Sequence, residues 1–391
     1  MIIKASNRIS TVKEYYFSVK LKEIAKLRNE GKKIINLGIG SPDRPPDPTV
    51  ITEMKNQLDQ DNLHGYQSYV GRPELRNAMA AWYAKHYGVE VDPFQEVLPL
   101  IGSKEGIMHI HMAFINPGDK VLIPNPGYPT YAASAKLAGA DIVYYNLLDQ
   151  NNWQPDFSEL ESLDWTDIRI MWVNYPHMPT GARMSSNTME RLVELARKNS
   201  FLICHDNPYS FILNDKPQSI FAYDPAKSVC LELNSLSKSH NLAGWRIGCL
   251  IGGADYLKEV IKFKSNMDSG MLAASQFAAI KALKLEADWF DDLNSEYKRR
   301  KKVAFKIFDA LGCNYDAGGV GMFLWGKIPE SKQSGYLYSD RILEATGVFI
   351  TPGGIFGSNG DHYLRISLCS DVGVLEEALE KILISISNEL N

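Results

Sequence analysis

Between residues 33 and 252 eight short apolar runs recur: KIINLGIG, EVLPLIG, KVLIP, DIVYYN, IRIMWVN, FLICHD, VCLELN and IGCLIG, with helix-like sequence between them. A strand with one wet face alternates apolar and polar residues; most of these runs are nearly continuous in apolar residues, the pattern of strands buried on both faces. Alternation of such strands with helices specifies an α/β domain whose sheet is mostly parallel and flanked by helices. TMERLVELARKN shows how the intervening segments read. Met189, Leu192, Val193, Leu195 and Ala196 fall at helical spacing with charges on the other face, so this is scaffold rather than chemistry.

After about residue 270 the pattern changes to a long helical stretch, AASQFAAIKALKLEADWFDDLNSEYKRRKKVAFKIFDALG, then short strands and a terminal helix. The predicted organisation is an N-terminal arm and part of a small domain over 1–47, a large domain over 48–290 and a smaller α+β C-terminal domain over 291–391. A chain of 391 residues, 45% of them hydrophobic, can fill two such cores.

Charge and cysteine usage narrow the function classes. A net charge of -4 without a long basic run lacks the clustered cations that nucleic acid requires. The five cysteines are widely spaced, odd in number and without a Cys-x-x-Cys pair, so neither a disulfide framework nor a zinc site is indicated, and a reducing, cytoplasmic setting is expected. The first twenty residues lack the apolar core of a signal peptide, and no run of about 18 apolar residues suggests a membrane span. Small-molecule chemistry remains.

In open parallel sheets ligands sit beyond the carboxyl ends of the strands. Those ends carry Asp206 with Tyr209 in LICHDNPYS, Ser235, Ser237 and Lys238 in LELNSLSK, and Gly102-Ser103-Lys104 where a strand gives way to a helix. A glycine and a serine opening a helix make an anion site, because the first-turn N–H groups have no intrahelical acceptor. A lysine with a depressed pKa can form an imine with an aldehyde, and a carboxylate can keep a pyridine nitrogen protonated. The combination describes a site for pyridoxal 5′-phosphate (PLP).

These residues resemble the fold type I PLP enzymes, and within them the class I/II aminotransferases, over nearly the whole chain. The resemblance implies that Lys238 in SLSKSHNLAGWRIG is the internal-aldimine lysine, and that Arg246 with Ser235 or Ser237 binds the phosphate. Asp206 would pair with the pyridine nitrogen, Tyr209 would donate to the ring 3-oxygen, and Tyr128 of NPGYPTY would stack on the ring. The backbone after Gly102, at Ser103 and Lys104, would hold the phosphate. Arg365 in HYLRISL would clamp the substrate α-carboxylate, a task suited to a planar fork. Gly40 would add a backbone N–H, with Ile39 near the substrate side chain. Tyr66 in YQSYVG would reach the phosphate of a neighbouring subunit, which implies a homodimer with shared sites.

The resemblance implies transfer of the amino group of an L-amino acid to a 2-oxo acid by ping-pong kinetics, with a PLP-dependent carbon–sulfur β-lyase of the same fold as the alternative. No second arginine presents itself for a distal carboxylate, so the expected donor is neutral or hydrophobic, and Tyr15, Tyr16 and Phe17 are expected to form an apolar lid. KSNMDSG (264–270) resembles the diaminopimelate and alanine-type branch. One departure stands out: where the family has Asn-Pro-Thr-Gly, this chain has Met178-Pro179-Thr180-Gly181, and a thioether cannot donate the asparagine's hydrogen bond. His177 is the candidate substitute. His109 and His111, two apart on a helix, face different directions and make no metal pair. GGVG at 318–321 lacks the context of a dinucleotide fingerprint and reads as a turn.

Overall fold

The computed structural model describes residues 3–14 and 16–389. Thirteen strands occur among them: β1 (Ile35–Asn36), β2 (Val97–Leu100), β3 (Lys120–Asn125), β4 (Asp141–Asn146), β5 (Ile168–Asn174), β6 (Leu202–Asp206), β7 (Cys230–Ser235), β8 (Gly248–Gly252), β9 (Asn314–Tyr315), β10 (Phe323–Lys327), β11 (Val348–Phe349), β12 (Thr351–Pro352) and β13 (Tyr363–Ser367). Seven of them form one sheet in the order β2-β8-β7-β6-β5-β3-β4. The β3–β4, β3–β5, β5–β6 and β6–β7 pairs are parallel, whereas β8 is antiparallel to both of its neighbours. The connection explains that reversal. A parallel return needs a crossover of a dozen or more residues, usually a full helix; the segment from β7 to β8 contains only the helix Leu236–Ser239 and a short 3-10 turn at Ala243–Trp245. It therefore turns back at the carboxyl end of β7, carrying Lys238 and Arg246 with it.

Both faces of the sheet are covered, which is why its strands read as apolar throughout. Trp172 and Cys204 pack on one face with Tyr131, Ile107 and Ile110, and Met171, Val173 and Ile203 on the other with Leu192, Val193 and Ala196. The helix Ser186–Asn199 shows the local logic. The Ser185 side chain accepts the Thr188 N–H as N-cap, Leu192 is fully buried, and the helix stops where Ser200 turns left-handed at φ 57°. Truncating Leu192 to alanine should cost about 2–5 kcal/mol.

The KIINLGIG run, though as apolar as the strands of the large sheet, does not join it. β1 pairs in parallel with β11, Leu37 N–H donates to Phe349 O, and Ser367 N–H donates to Leu37 O, so this segment is stitched to the C-terminal part of the chain. The helix Tyr16–Asn29 lies there too, with Ile24 in a cluster with Ile34, Leu343 and Phe349. A four-stranded antiparallel sheet, β12-β13-β10-β9, sits beside it. The long helical stretch resolves into Ala273–Ala282 and Ala287–Ala310, and the second helix packs against Val372–Glu389. Residues 318–321 are a turn and loop, as their composition predicts.

Candidate active site

The ends of β5, β6 and β7, the first turn of the helix Ser103–Phe114, the Gly38–Ser41 segment and Arg365 on β13 converge on a cavity of about 550 Å³. At one end is an anion cradle. Gly102 caps the helix at φ 77° with no side-chain cap, so the first N–H groups stay available. A Cβ on Gly102 would collide with the Arg246 guanidinium, and one on Gly248 would sit 2.7 Å from Ser103 N. Only glycine allows both approaches. Arg246 itself is held left-handed at φ 56°, its Nη1 donating to Ala243 O at 3.0 Å. Ser235 caps the short helix carrying Lys238 by accepting the Ser237 N–H at 3.2 Å, and both serines line the cavity.

Asp206, buried at the end of β6, lines the same cavity. Its Oδ2 accepts from the Tyr131 hydroxyl at 2.6 Å, while Oδ1 is buried with no hydrogen-bond partner. Burial pushes the carboxyl up to about 6, opposed by the Tyr131 bond and the charge of His205. An orphaned buried carboxylate oxygen calls for a donor from a ligand, and a protonated pyridine nitrogen fits it. Tyr131 is itself stacked on Trp172, with ring centroids 4.6 Å apart and planes 6° apart, and Tyr128 meets Tyr131 edge-on at 5.5 Å. Tyr209 lines the same space, its phenol raised well above the usual range by burial. Asn174 braces the loop, donating to Asp206 O at 2.6 Å and accepting the Met178 N–H at 2.9 Å.

Lys238 reaches into the cavity and donates to Gly40 O. Burial lowers its ammonium pKa, and the nearby positive charges of Arg365 and Arg246 add to the effect. Arg365 is almost fully buried. Its Nη2 donates to Gly38 O at 2.6 Å, its Nη1 lies 3.4 Å from Met178 Sδ, and the Phe323, Phe356 and Phe17 ring centroids lie 4.1, 4.7 and 5.4 Å from its guanidinium carbon. Ile39 and Gly40 complete that wall.

Ile39, Gly40, Ser103, Lys104, Tyr128, Asp206, Tyr209, Ser235, Ser237, Lys238, Arg246 and Arg365 thus surround one cavity, with Gly102 at its helix cap. Tyr66 does not join them: it is 94% exposed on the surface. His177 is also elsewhere, buried with Nδ1 bonded to Thr180 Oγ1 at 2.7 Å and absent from the lining, so it is no substitute donor. Phe17 lines the cavity whereas Tyr16 packs on Tyr336, and Tyr15 lies outside the described residues. Sequence reading missed Tyr131 and Asn174. Tyr131 had a signal, since Pro129 opens a helix whose first turn must carry it close to Tyr128.

His111 bridges Ser134 Oγ and the Trp172 indole at 2.8 Å each, a structural role. His109 instead lies near Glu105 and Asp268, and among the described residues this is the group with metal-like spacing. That group already contains a cation: Lys264 Nζ binds both Asp268 oxygens at 2.7 and 2.6 Å.

A large, mostly parallel sheet with a smaller antiparallel one places the molecule in the fold type I class of PLP enzymes, and the orphaned Asp206 oxygen and the helix-end cradle suit that cofactor's ring nitrogen and phosphate. The sequence goes further. The profile described as "Aminotransferase class I and II" matches residues 32–382, and the chain belongs to that family. It is 39% identical over 388 residues to the LL-diaminopimelate aminotransferase of Dehalococcoides mccartyi (strain 195), covering 99% of each chain. The enzyme of the same name from Nitratidesulfovibrio vulgaris (strain Miyazaki F) is 38% identical over 382 residues, 97% of this chain and 98% of that one. Among solved structures, apo BacF from Bacillus subtilis superposes with a TM-score of 0.94 at 32% identity over 98% of both chains. The aromatic aminotransferase of Pyrococcus horikoshii superposes with a TM-score of 0.86 at 28% identity, over 94% of this chain and 99% of that one. The chain is therefore a PLP-dependent aminotransferase, and these relatives do not favour the lyase alternative.

Proposed function

We propose that this aminotransferase takes its amino group from a neutral or hydrophobic L-amino acid and hands it to a 2-oxo acid in ping-pong fashion. The supporting observation is the wall around Arg365. Phe17, Phe323 and Phe356 pack around its guanidinium, Leu21 and Ile39 also line the cavity, and Asp206 is the one carboxylate among the described lining residues. An apolar side chain gains roughly 25 cal/mol for each Å² it buries there, whereas a charged one would lose its hydration without a partner. The relatives' names favour a second reading, LL-diaminopimelate, whose distal ammonium would need a carboxylate beyond Asp206, the one carboxylate among the described lining residues.

When bound, PLP supplies an aldehyde that condenses with amines and a ring that stores the electron pair released from the substrate Cα–H bond. Asp206 Oδ1 would accept from the ring nitrogen and Tyr209 would donate to the ring oxygen. The N–H groups of Ser103 and Lys104, with Ser235, Ser237 and Arg246, would bind the phosphate. Arg365 and the Gly40 backbone would hold the substrate carboxylate. Lys238, its ammonium destabilised by burial, would hold the cofactor and then take the proton from the substrate Cα at Nζ.

The active unit we propose is a cytoplasmic homodimer in which Tyr66 reaches the neighbouring site. Tyr66, Tyr69, Met267 and Leu272 are exposed, and their segments meet where Gly270 abuts Gln67 O and Ser68 O. All five cysteines are free and buried, which suits a reducing compartment, and no described helix is long and apolar enough to cross a membrane. A half-reaction screen of the twenty amino acids and LL-diaminopimelate, read from the cofactor's absorption change, tests the donor class. Fastest conversion with LL-diaminopimelate would refute the neutral-donor reading.

A further inference from the structure

His205 immediately precedes Asp206 on β6, so its side chain points to the opposite face of the sheet, away from the cavity. There it is fully buried between two acceptors. Nδ1 lies 2.8 Å from Glu232 Oε2 and Nε2 lies 3.0 Å from the Tyr175 carbonyl oxygen. A carbonyl oxygen cannot donate, so Nε2 must carry a proton. Glu232 is equally constrained: Oε2 also receives the Ile220 N–H and the Ser219 hydroxyl at 3.0 Å each, and Oε1 receives the Tyr83 hydroxyl at 2.7 Å and the Asn207 amide at 3.5 Å. A carboxyl group surrounded by donors is a carboxylate, and Nδ1 must then carry a proton as well. His111 shows the contrast. One of its nitrogens faces the Trp172 N–H, so it needs only one proton.

We propose that His205 is a positioning residue for the transamination, a buried imidazolium paired with Glu232 that keeps Asp206 ionised from behind the sheet. The inference rests on the assignment of Asp206 to the cofactor's ring nitrogen. Lys238, Arg246 and Arg365 line the same cavity as Asp206, and His205 is the positive charge that acts on the Asp206 carboxyl from behind the sheet. Tyr83, Tyr87 and Cys249, which face Glu232, are held neutral by burial, as are Tyr131 and Tyr209 beside Asp206. Burial raises the Asp206 carboxyl, and the His205 charge acts in the opposite direction. A carboxyl near 6 is mostly ionised at neutral pH; without that charge its midpoint would lie higher and less of it would be free to accept the ring N–H. The pair also explains its own burial, because an imidazolium and a carboxylate with every other lone pair satisfied can remain in an apolar interior.

The test begins with the cofactor-free wild-type protein. ¹⁵N NMR of His205 should show both ring nitrogens protonated at pH 7; one bare nitrogen at that pH overturns the proposal. ¹³C NMR should then find the Asp206 midpoint raised above that of the wild type in His205→Gln/Glu232→Gln, which removes the imidazolium nearer to Asp206 together with its partner carboxylate and keeps neutral amides in their places. An unmoved midpoint also overturns it. Should the double variant fail to fold, the wild-type ¹⁵N spectrum decides. Unchanged cofactor affinity in Asp206→Asn would remove the assignment on which the inference rests, and the inference with it, an outcome the His205 spectrum distinguishes from failure of the imidazolium itself.

Discussion

Replacing Asp206 by asparagine should stabilise the cofactor-free protein at neutral pH while weakening its grip on PLP. The buried carboxyl titrates about two units above its ordinary value of 3.8, at about 6, because desolvation outweighs the Tyr131 bond and the His205 charge. The folded state therefore binds this proton more tightly than the unfolded chain does. Stability from this group is intact below about pH 4, declines as pH rises toward 6, and stays at the lower level above. Two units correspond to about 3 kcal/mol. Asparagine has no such titration, and its amide oxygen can still accept from Tyr131. Urea denaturation of both cofactor-free proteins at pH 4, 5, 6 and 7 should show the asparagine variant gaining an advantage that grows from nearly nothing to about 2–3 kcal/mol. Adding PLP should reverse the order, because the wild-type carboxylate then gains the ring N–H. A difference independent of pH, or a wild type more stable at pH 7 without cofactor, would refute the argument.

Arg365→Lys keeps the charge but loses the planar fork stacked among Phe17, Phe323 and Phe356, so KM for the amino acid should rise about 10- to 100-fold, the equivalent of a charged hydrogen bond worth roughly 1.5–3 kcal/mol, with PLP affinity unchanged. Loss of cofactor with an unaltered KM would contradict that role. Borohydride reduction and peptide mapping should place the pyridoxyl label on Lys238, and a label on another lysine would sink the assignment. Mixed dimers of inactive Tyr66→Ala and inactive Lys238→Ala chains should recover some activity, since one of the two sites then combines an intact lysine with an intact tyrosine; no recovery in a verified mixed dimer would rule out sharing. Met178→Asn should lower the pH midpoint of the bound cofactor's absorption change by roughly one unit, because an amide donates where a thioether cannot, and an unmoved midpoint would show that position 178 does not meet the ring oxygen.

The large sheet was legible because its strands are buried on both faces, and that burial writes an apolar run wherever a strand falls. Direction was not legible, since IGCLIG reads alike whether it runs with or against VCLELN; the missing crossover helix between them was the available sign. KIINLGIG is as apolar as a central strand yet pairs with Val348–Phe349, so its apolar run alone did not tell which sheet it joins. At the cavity, the residues that stood out were those whose chemistry is unusual at a strand end: Asp206, Lys238, Gly102-Ser103 and Arg365. Tyr131 and Asn174 were passed over because an aromatic in a helix and an asparagine at a strand end are ordinary in isolation. Their importance lies in the partners they find, Asp206 Oδ2 for one and the Met178 N–H for the other.

Met178 shows how a departure from a motif can be absorbed. Its backbone N–H is fixed by Asn174, so the loop keeps its position whatever side chain stands at 178. The thioether extends along the cavity to the Arg365 guanidinium, a soft contact of 3.4 Å that joins the three aromatic rings around that cation. An asparagine there would offer a donor to the cavity but give up an apolar, polarisable group beside Arg365. The exchange links two parts of the site: a weaker hold on the ring oxygen goes with a drier, more apolar surface where the substrate side chain must lie. That coupling is what a neutral or hydrophobic donor would favour, and it predicts that Met178→Asn loses more turnover with bulky apolar amino acids than with alanine. Equal losses across the series would separate the two effects and leave the ring oxygen as the only group that position 178 serves.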